Sequence, residues 1–364
     1  RPHMLVSDPN HEFVALAFVA SGHVAIIDGK TKQARALFRM SAGDAGARQA
    51  HAAFWTVDGR ALIVANQNGK LLERIVYDPE ANTFRHDTPA TLNLATCRTP
   101  GGMPCQSATP MSDLMPGYFG AHNRPDNAPI CPVISADNKA FVTLRGGGLF
   151  VVDPTSTPMA IVGEYGNLFM GRDGCGGAQV GKTVFLNGGA GTLTTNPSEF
   201  NVYQIRDQFP PAPAFLPANF EGNLPRHVAG NASPDRDSHG MTVTAGGHYL
   251  WQFDRLANVA EVYRLPSFRH MSTVDLRATG LSADPTPDLV ALSPRGDRIY
   301  VALRGPKPQT GAHASVGISP GLGIVEISHG GAYGNLMSIL PTAFRNPADG
   351  SEESDPHGIC VRLK

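Results

Sequence analysis

A short-strand pattern recurs along the whole chain and leaves room for little besides an all-β repeat. Each unit opens with a strand that ends in a tight turn, as at Val57-Asp58-Gly59-Arg60, Ala136-Asp137-Asn138-Lys139, Ala245-Gly246-Gly247-His248 and Pro294-Arg295-Gly296-Asp297. Asp-Gly and Asp-Asn supply the positive φ that such hairpins demand. A second, strongly apolar strand follows at Glu12–Ala20, Ala61–Ala65, Ala140–Leu144, Thr183–Asn187, Tyr249–Phe253 and Arg298–Leu303. Third strands are expected at His23–Asp28, Leu71–Asp78, Gly148–Asp153, Phe200–Ile205, Val259–Leu265 and Gly323–Ser328. Weaker fourth strands are expected at Ala34–Phe38, Ala90–Leu94, Ala160–Glu164, Ser272–Leu276 and Met337–Pro341, with none evident after Phe200–Ile205. Helical periodicity is nearly absent.

A four-strand unit recurring at about 40–50 residues is the signature of propeller blades. The composition agrees. The chain holds 40 Gly and 30 Pro in 364 residues, about a fifth of the total where roughly 12% is average, as a fold with many tight turns requires. Six complete units are visible, and one further opening strand is expected at His357–Lys364. The expectation is an all-β, seven-bladed β-propeller over residues 1–364 as one domain, with further strands of the last blade lying before residue 1. A six-bladed ring with an extra strand is the alternative. Long loops are expected near Ala95–Pro129, Asp207–Asp237, Gly305–Leu322 and Ala343–Asp355.

The runs Asp355-Pro356-His357-Gly358-Ile359, Ser293-Pro294-Arg295-Gly296-Asp297-Arg298-Ile299-Tyr300-Val301 and Phe141-Val142-Thr143-Leu144-Arg145-Gly146-Gly147-Gly148 resemble the repeat of YVTN-type seven-bladed propellers. That resemblance implies a fold and not a chemistry, because such scaffolds host many functions.

The first strand of each blade lines the central channel of a propeller, so a residue at one fixed position recurs around a ring. Eight residues before the turn, Gly59 leads to His51, Gly247 to His239, Gly296 to Asp288, Gly181 to Asp173 and Asn138 to Ile130. His357 and His3 share a Pro-His context with each other. The expected ring is therefore His3, His51, Asp173, His239, Asp288 and His357, all metal ligands. His122 and Asp126, just ahead of the third unit, are expected to fold over the same mouth as catalytic acid–base groups. Neutral imidazoles and carboxylates are ligands for copper, iron and zinc, and without a thiolate copper is favoured over iron, then zinc. Nitrous oxide reductase and the carotenoid oxygenases are similar in architecture, as propellers with axial histidines that hold copper or iron, but no motif ties this chain to either.

Cys97 and Cys105 flank a Gly-Gly turn and read as a disulfide, with two free thiols as the alternative. Cys131 and Cys175 open neighbouring blades and read as a pair, a soft ligand set or buried thiols. A disulfide points to an oxidising compartment, periplasmic or secreted. The net charge of −1 argues against a nucleic-acid partner, and no apolar run reaches the ~18 residues of a membrane span. Gly176-Gly177-Ala178-Gln179-Val180-Gly181-Lys182-Thr183 has phosphate-loop spacing but runs into a strand, where that motif needs a helix. The reading is a metal-dependent oxidoreductase acting on a small molecule. The alternatives are a non-catalytic propeller that binds a protein or envelope partner, and a lactonase-type hydrolase.

Overall fold

The computed structural model describes residues 3–108, 122–189, 199–218, 220–233, 235–307 and 315–363, so parts of the Ala95–Pro129 and Gly305–Leu322 loops lie outside it. Among the described residues six antiparallel sheets follow one another, each built on four strands in sequence order, with a fifth short strand in the second. The first holds β1 (Met4–Ser7), β2 (Phe13–Phe18), β3 (His23–Asp28) and β4 (Ala34–Arg39). The second holds β5 (Ala50–Trp55), β6 (Ala61–Asn66), β7 (Leu71–Asp78) and β8 (Thr83–His86), with β9 (Leu92–Asn93) added to β7. The third holds β10 (Pro129–Ile134), β11 (Ala140–Leu144), β12 (Leu149–Asp153) and β13 (Ala160–Tyr165). The fourth holds β14 (Gly177–Val180), β15 (Thr183–Gly188), β16 (Glu199–Arg206) and β17 (Arg226–Ala232). The fifth holds β18 (Ser238–Val243), β19 (Tyr249–Asp254), β20 (Val259–Arg264) and β21 (Arg269–Asp275). The sixth holds β22 (Pro287–Leu292), β23 (Arg298–Leu303), β24 (Gly321–Ser328) and β25 (Tyr333–Pro341). This is an all-β propeller.

The order of strands follows from their chemistry. Second strands such as β6 and β11 are buried along their whole length, because a blade's middle is covered on both faces by its neighbours. Outer strands such as β4 alternate between exposed and half-buried. The turns expected from the sequence all form, with positive φ at Gly59, Asn138, Gly181, Gly247 and Gly296. The phosphate-loop-like run is the β14–β15 hairpin, since Val180 pairs directly with Thr183.

Three expectations need correcting. The fourth strand of the second blade is β8, not Ala90–Leu94. Asp87 is drawn inward by Arg74, whose Nε and Nη2 donate to Asp87 Oδ2 at 2.9 and 2.6 Å, and the 3-10 turn at Thr88–Ala90 then splits the edge in two. A fourth strand does exist in the fourth blade. β17 was hidden because it follows a Pro-rich excursion and needs Gly230 at φ 95°, where a Cβ would meet Phe200 O at 1.7 Å. Finally, 357–363 forms no strand ladder. It takes isolated contacts instead: Leu289 N–H donates to His357 O at 3.2 Å, and Arg362 Nε donates to His11 O at 2.6 Å.

That terminal segment still completes the channel. A solvent-open cavity of about 500 Å³ is walled by β1, Phe54 and Trp55 of β5, Ile134 of β10, Gly177 of β14, Met241 of β18, Leu289–Leu292 of β22 and Ile359–Val361. Seven segments thus surround one largely apolar hole.

Candidate metal centre on the channel axis

Four of the six innermost strands share an irregularity at one end. Register shifts fall between Ala50 and Ala52 in β5, Pro129 and Pro132 in β10, Ser238 and Met241 in β18, and Pro287 and Val290 in β22. The residues left unpaired there are His51, Ile130–Cys131, His239–Gly240 and Asp288–Leu289. A bulge bends the strand and re-aims a side chain, and here those at His51, His239 and Asp288 bring their side chains into one cluster. Adjacent blades also approach closely at this level, since a Cβ on Gly240 would stand 2.1 Å from Asp288 O. Only glycine allows adjacent blades to approach that closely.

The four imidazoles converge. His3 Nε2 lies 3.2 Å from His51 Nε2, and His239 Nε2 lies 3.3 Å from His357 Nε2. The His3 and His357 rings join the two pairs, with centroids 3.7 Å apart. All four residues are buried. Asp288 Oδ1 stands 3.2 Å from His239 Nε2 and 3.6 Å from His357 Nε2. These three side chains form a group able to hold one ion. Ligands about 2.0–2.2 Å from a common tetrahedral centre have mutual separations of this size.

Protonation suits the same role. Burial pushes the His51 imidazole down to about 4, so the ring is neutral near pH 7, as a ligand must be. His51 Nδ1 is 2.9 Å from Ile130 O, and a carbonyl can only accept. The proton is therefore on Nδ1, and the lone pair is on Nε2, facing His3.

Asp288 is fixed from behind. Arg304 Nη1 donates to its Oδ2 at 2.8 Å, and Arg255 Nη1 lies 3.5 Å from the same oxygen. Arg304 also grips Asp355 through Nε and Nη2 at 2.6 and 2.8 Å. Arg255 Nε donates to Asp237 Oδ2 at 2.8 Å. Both guanidiniums are fully buried. Burial raises the Asp288 carboxyl above the usual carboxylate range, and the two guanidiniums offset that rise only in part. This Asp355–Arg304–Asp288–Arg255–Asp237 chain was not anticipated. Its sequence signal was a recurring Arg at the end of an apolar second strand: Arg145 after Leu144, Arg255 after Phe253-Asp254, and Arg304 after Leu303.

Three expected members, Asp173, Asp126 and His122, are not in this group. Asp173 lies two residues before Cys175, in a polar cleft of about 540 Å³ with Asp126, Arg145, Arg172, Glu199 and Tyr203. It is partly exposed, yet surrounding protein raises its carboxyl well above the usual range. Asp126 is in that cleft, held by Arg145 Nε at 2.5 Å. His122 is not there: its Nδ1 is 3.5 Å from Glu164 Oε2 on β13, the outermost strand of its blade. Arg124, 2.9 Å from the same oxygen, and the Ser107–Arg124 bridge pin that loop outward. Both cysteine pairs, Cys97–Cys105 and Cys131–Cys175, form disulfides, and Cys360 is free. No helix among the described residues is long and apolar enough to cross a membrane.

No family model matches the chain, and no curated protein matches it. Solved structures do share the fold. Hydrazine synthase of Kuenenia stuttgartiensis is 13% identical with a TM-score of 0.56, over 89% of this chain and 76% of that one. A candidate 6-phosphogluconolactonase from Bacteroides fragilis is 12% identical with a TM-score of 0.54, over 96% and 95%. The Cps50 (Swd1) β-propeller domain of Myceliophteria thermophila is 13% identical with a TM-score of 0.50, over 94% and 86%. Identities this low establish a common architecture, and the chain is similar to these proteins as a β-propeller.

Proposed function

We propose that the chain is a metal-dependent oxidoreductase of an oxidising compartment, periplasmic or extracellular, with a transition-metal ion on its axis. The observation that carries this reading is the meeting of His239, His357 and Asp288 within 3.6 Å of one another, beside the His3–His51 pair. Two imidazoles and one carboxylate alone suit iron(II), whereas four imidazoles in one cluster shift the preference toward copper, which heads the affinity order for nitrogen donors. Copper is the ion proposed. When bound it would supply one-electron chemistry or polarise a small substrate.

The chain's own residues divide the remaining work. Arg304 and Arg255 hold Asp288 in place and balance its charge. Ile130 O sets the His51 tautomer so that Nε2 faces the cluster. The apolar channel admits a small molecule and limits water. Asp173, whose raised carboxyl keeps a proton to higher pH, is proposed as the proton donor, with Asp126 in the same polar cleft.

The test is metal quantification on wild type and on a His239→Ala, His357→Ala double variant after dialysis against copper(II). Stoichiometric copper in wild type and its loss from a folded double variant support the proposal. Full metal content in the folded variant, or none in wild type, overturns it. Zinc or calcium bound together with lactone turnover would favour the hydrolase reading.

A further inference from the structure

A second donor group sits on the channel wall. A ring nitrogen of His51 and the sulfurs of Cys131 and Cys175 lie within 4.8 Å of one another, all three residues buried. The cysteines are 44 residues apart in sequence and join the innermost strand β10 to the residues leading into β14. A disulfide that merely staples two blades needs no imidazole beside it, and among the described residues Cys97–Cys105 has no such donor group.

While the sulfurs are bonded to each other they are not thiolates and ligate metals poorly. Once reduced they become soft anionic ligands, the kind that select Cu(I) and zinc. Access exists, because Cys175 lines the solvent-open channel.

We propose that Cys131, Cys175 and His51 form a redox-controlled soft-metal site, closed as the disulfide and opened by a small dithiol reductant. The dithiol gives up two electrons and two protons and becomes a cyclic disulfide. The Cys131–Cys175 bond breaks and two thiols form. Binding of Cu(I) or zinc then releases both thiol protons to solvent, leaving two thiolates and an imidazole on the ion. His51 is shared with the axial cluster, so loading this site draws an imidazole away from His3. Apart from that shared ring, the site does not depend on the axial reading.

Cobalt(II) titration under nitrogen tests it, comparing oxidised protein with protein reduced by dithiothreitol and freed of it. The reduced protein should take up one additional equivalent of cobalt and show thiolate-to-cobalt charge-transfer absorption that the oxidised protein lacks. A Cys97→Ser, Cys105→Ser variant should keep the band. A Cys131→Ser, Cys175→Ser variant, which retains Cys360, should lose it, and His51→Ala should shift the ligand-field bands. Reduced wild type without the band overturns the proposal whatever the variants do, as does an undiminished band in Cys131→Ser, Cys175→Ser. Failure of the axial reading looks different: the oxidised protein binds no ion while the reduced protein still shows the band.

Discussion

His239 and His357 bring their Nε2 atoms to 3.3 Å although 118 residues separate them in sequence. Closure of the ring produces that meeting: β18 and the 357–361 segment flank β22, and its Asp288 reaches both rings. The charges behind Asp288 are as much a part of the site as the rings in front of it.

Replacing Arg304 with Met keeps the volume and removes the guanidinium that bridges Asp288 and Asp355. Leaving buried carboxylates uncompensated costs about 3–5 kcal/mol, measurable as a lower urea midpoint. Loss of the group that orients Asp288 should also weaken copper binding by about 10–100-fold. Unchanged affinity in a folded Arg304→Met protein would remove Asp288 from the ligand set.

The His51 imidazole makes the metal-free fold acid-sensitive. Its pKa is about 4 in the fold against 6.5 for the ordinary group, so between those values the unfolded chain binds the extra proton. Stability from this residue is fully present above pH 6.5 and is lost as pH falls through 4, by about 3 kcal/mol. Urea denaturation with a chelator present, at several pH values, should show wild type losing more stability across that window than His51→Asn. Parallel curves would refute it.

Asp173 acts in the opposite sense. Its carboxyl is raised by burial, so the folded state binds the extra proton and ionisation works against folding. That cost is absent below the ordinary carboxylate value of 3.8 and grows as pH rises. Asp173→Asn should therefore stabilise the protein at neutral pH, with the gain vanishing below about pH 4. Asn also tolerates the φ of 51° found there. A pH-independent difference between the two proteins would count against this account.

The two disulfides should differ in worth. Cys97–Cys105 closes a separation of 8 residues and Cys131–Cys175 one of 44. Chain entropy assigns about 2–3 kcal/mol to the first and about 4 kcal/mol to the second. Urea unfolding of the two Cys→Ser double variants should rank them in that order; the reverse ranking would show that native contacts, not loop closure, dominate.

The blades were legible because their cause is local. Alternating turns and apolar runs dictate a strand and its hairpin within about ten residues, and second and third strands form close to where the pattern puts them. β17 was missed because its partner β16 lies beyond a Pro-rich excursion, and β8 because Arg74, which donates to Pro154 O and Thr157 Oγ1 of the next blade, draws Asp87 inward and relocates the edge. His51 and His239 could be read from position within the repeat, since equivalent places in a closed ring face one axis, whereas His3 and His357 were read from their shared Pro-His context. Asp173 shares that position count but not the destination, because β14 starts after it and carries none of the bulges that turn His51, His239 and Asp288 inward.

Hairpin chemistry and apolar period thus suffice to specify blades and the end of each blade on which a polar residue falls. Which of those residues touch, and whether two cysteines from separate blades bond or stand apart, is settled by bulge placement and blade-to-blade approach. Those are long-range properties, set when glycines such as Gly240 let neighbouring backbones close to contact and the buried arginines pull their carboxylates into line.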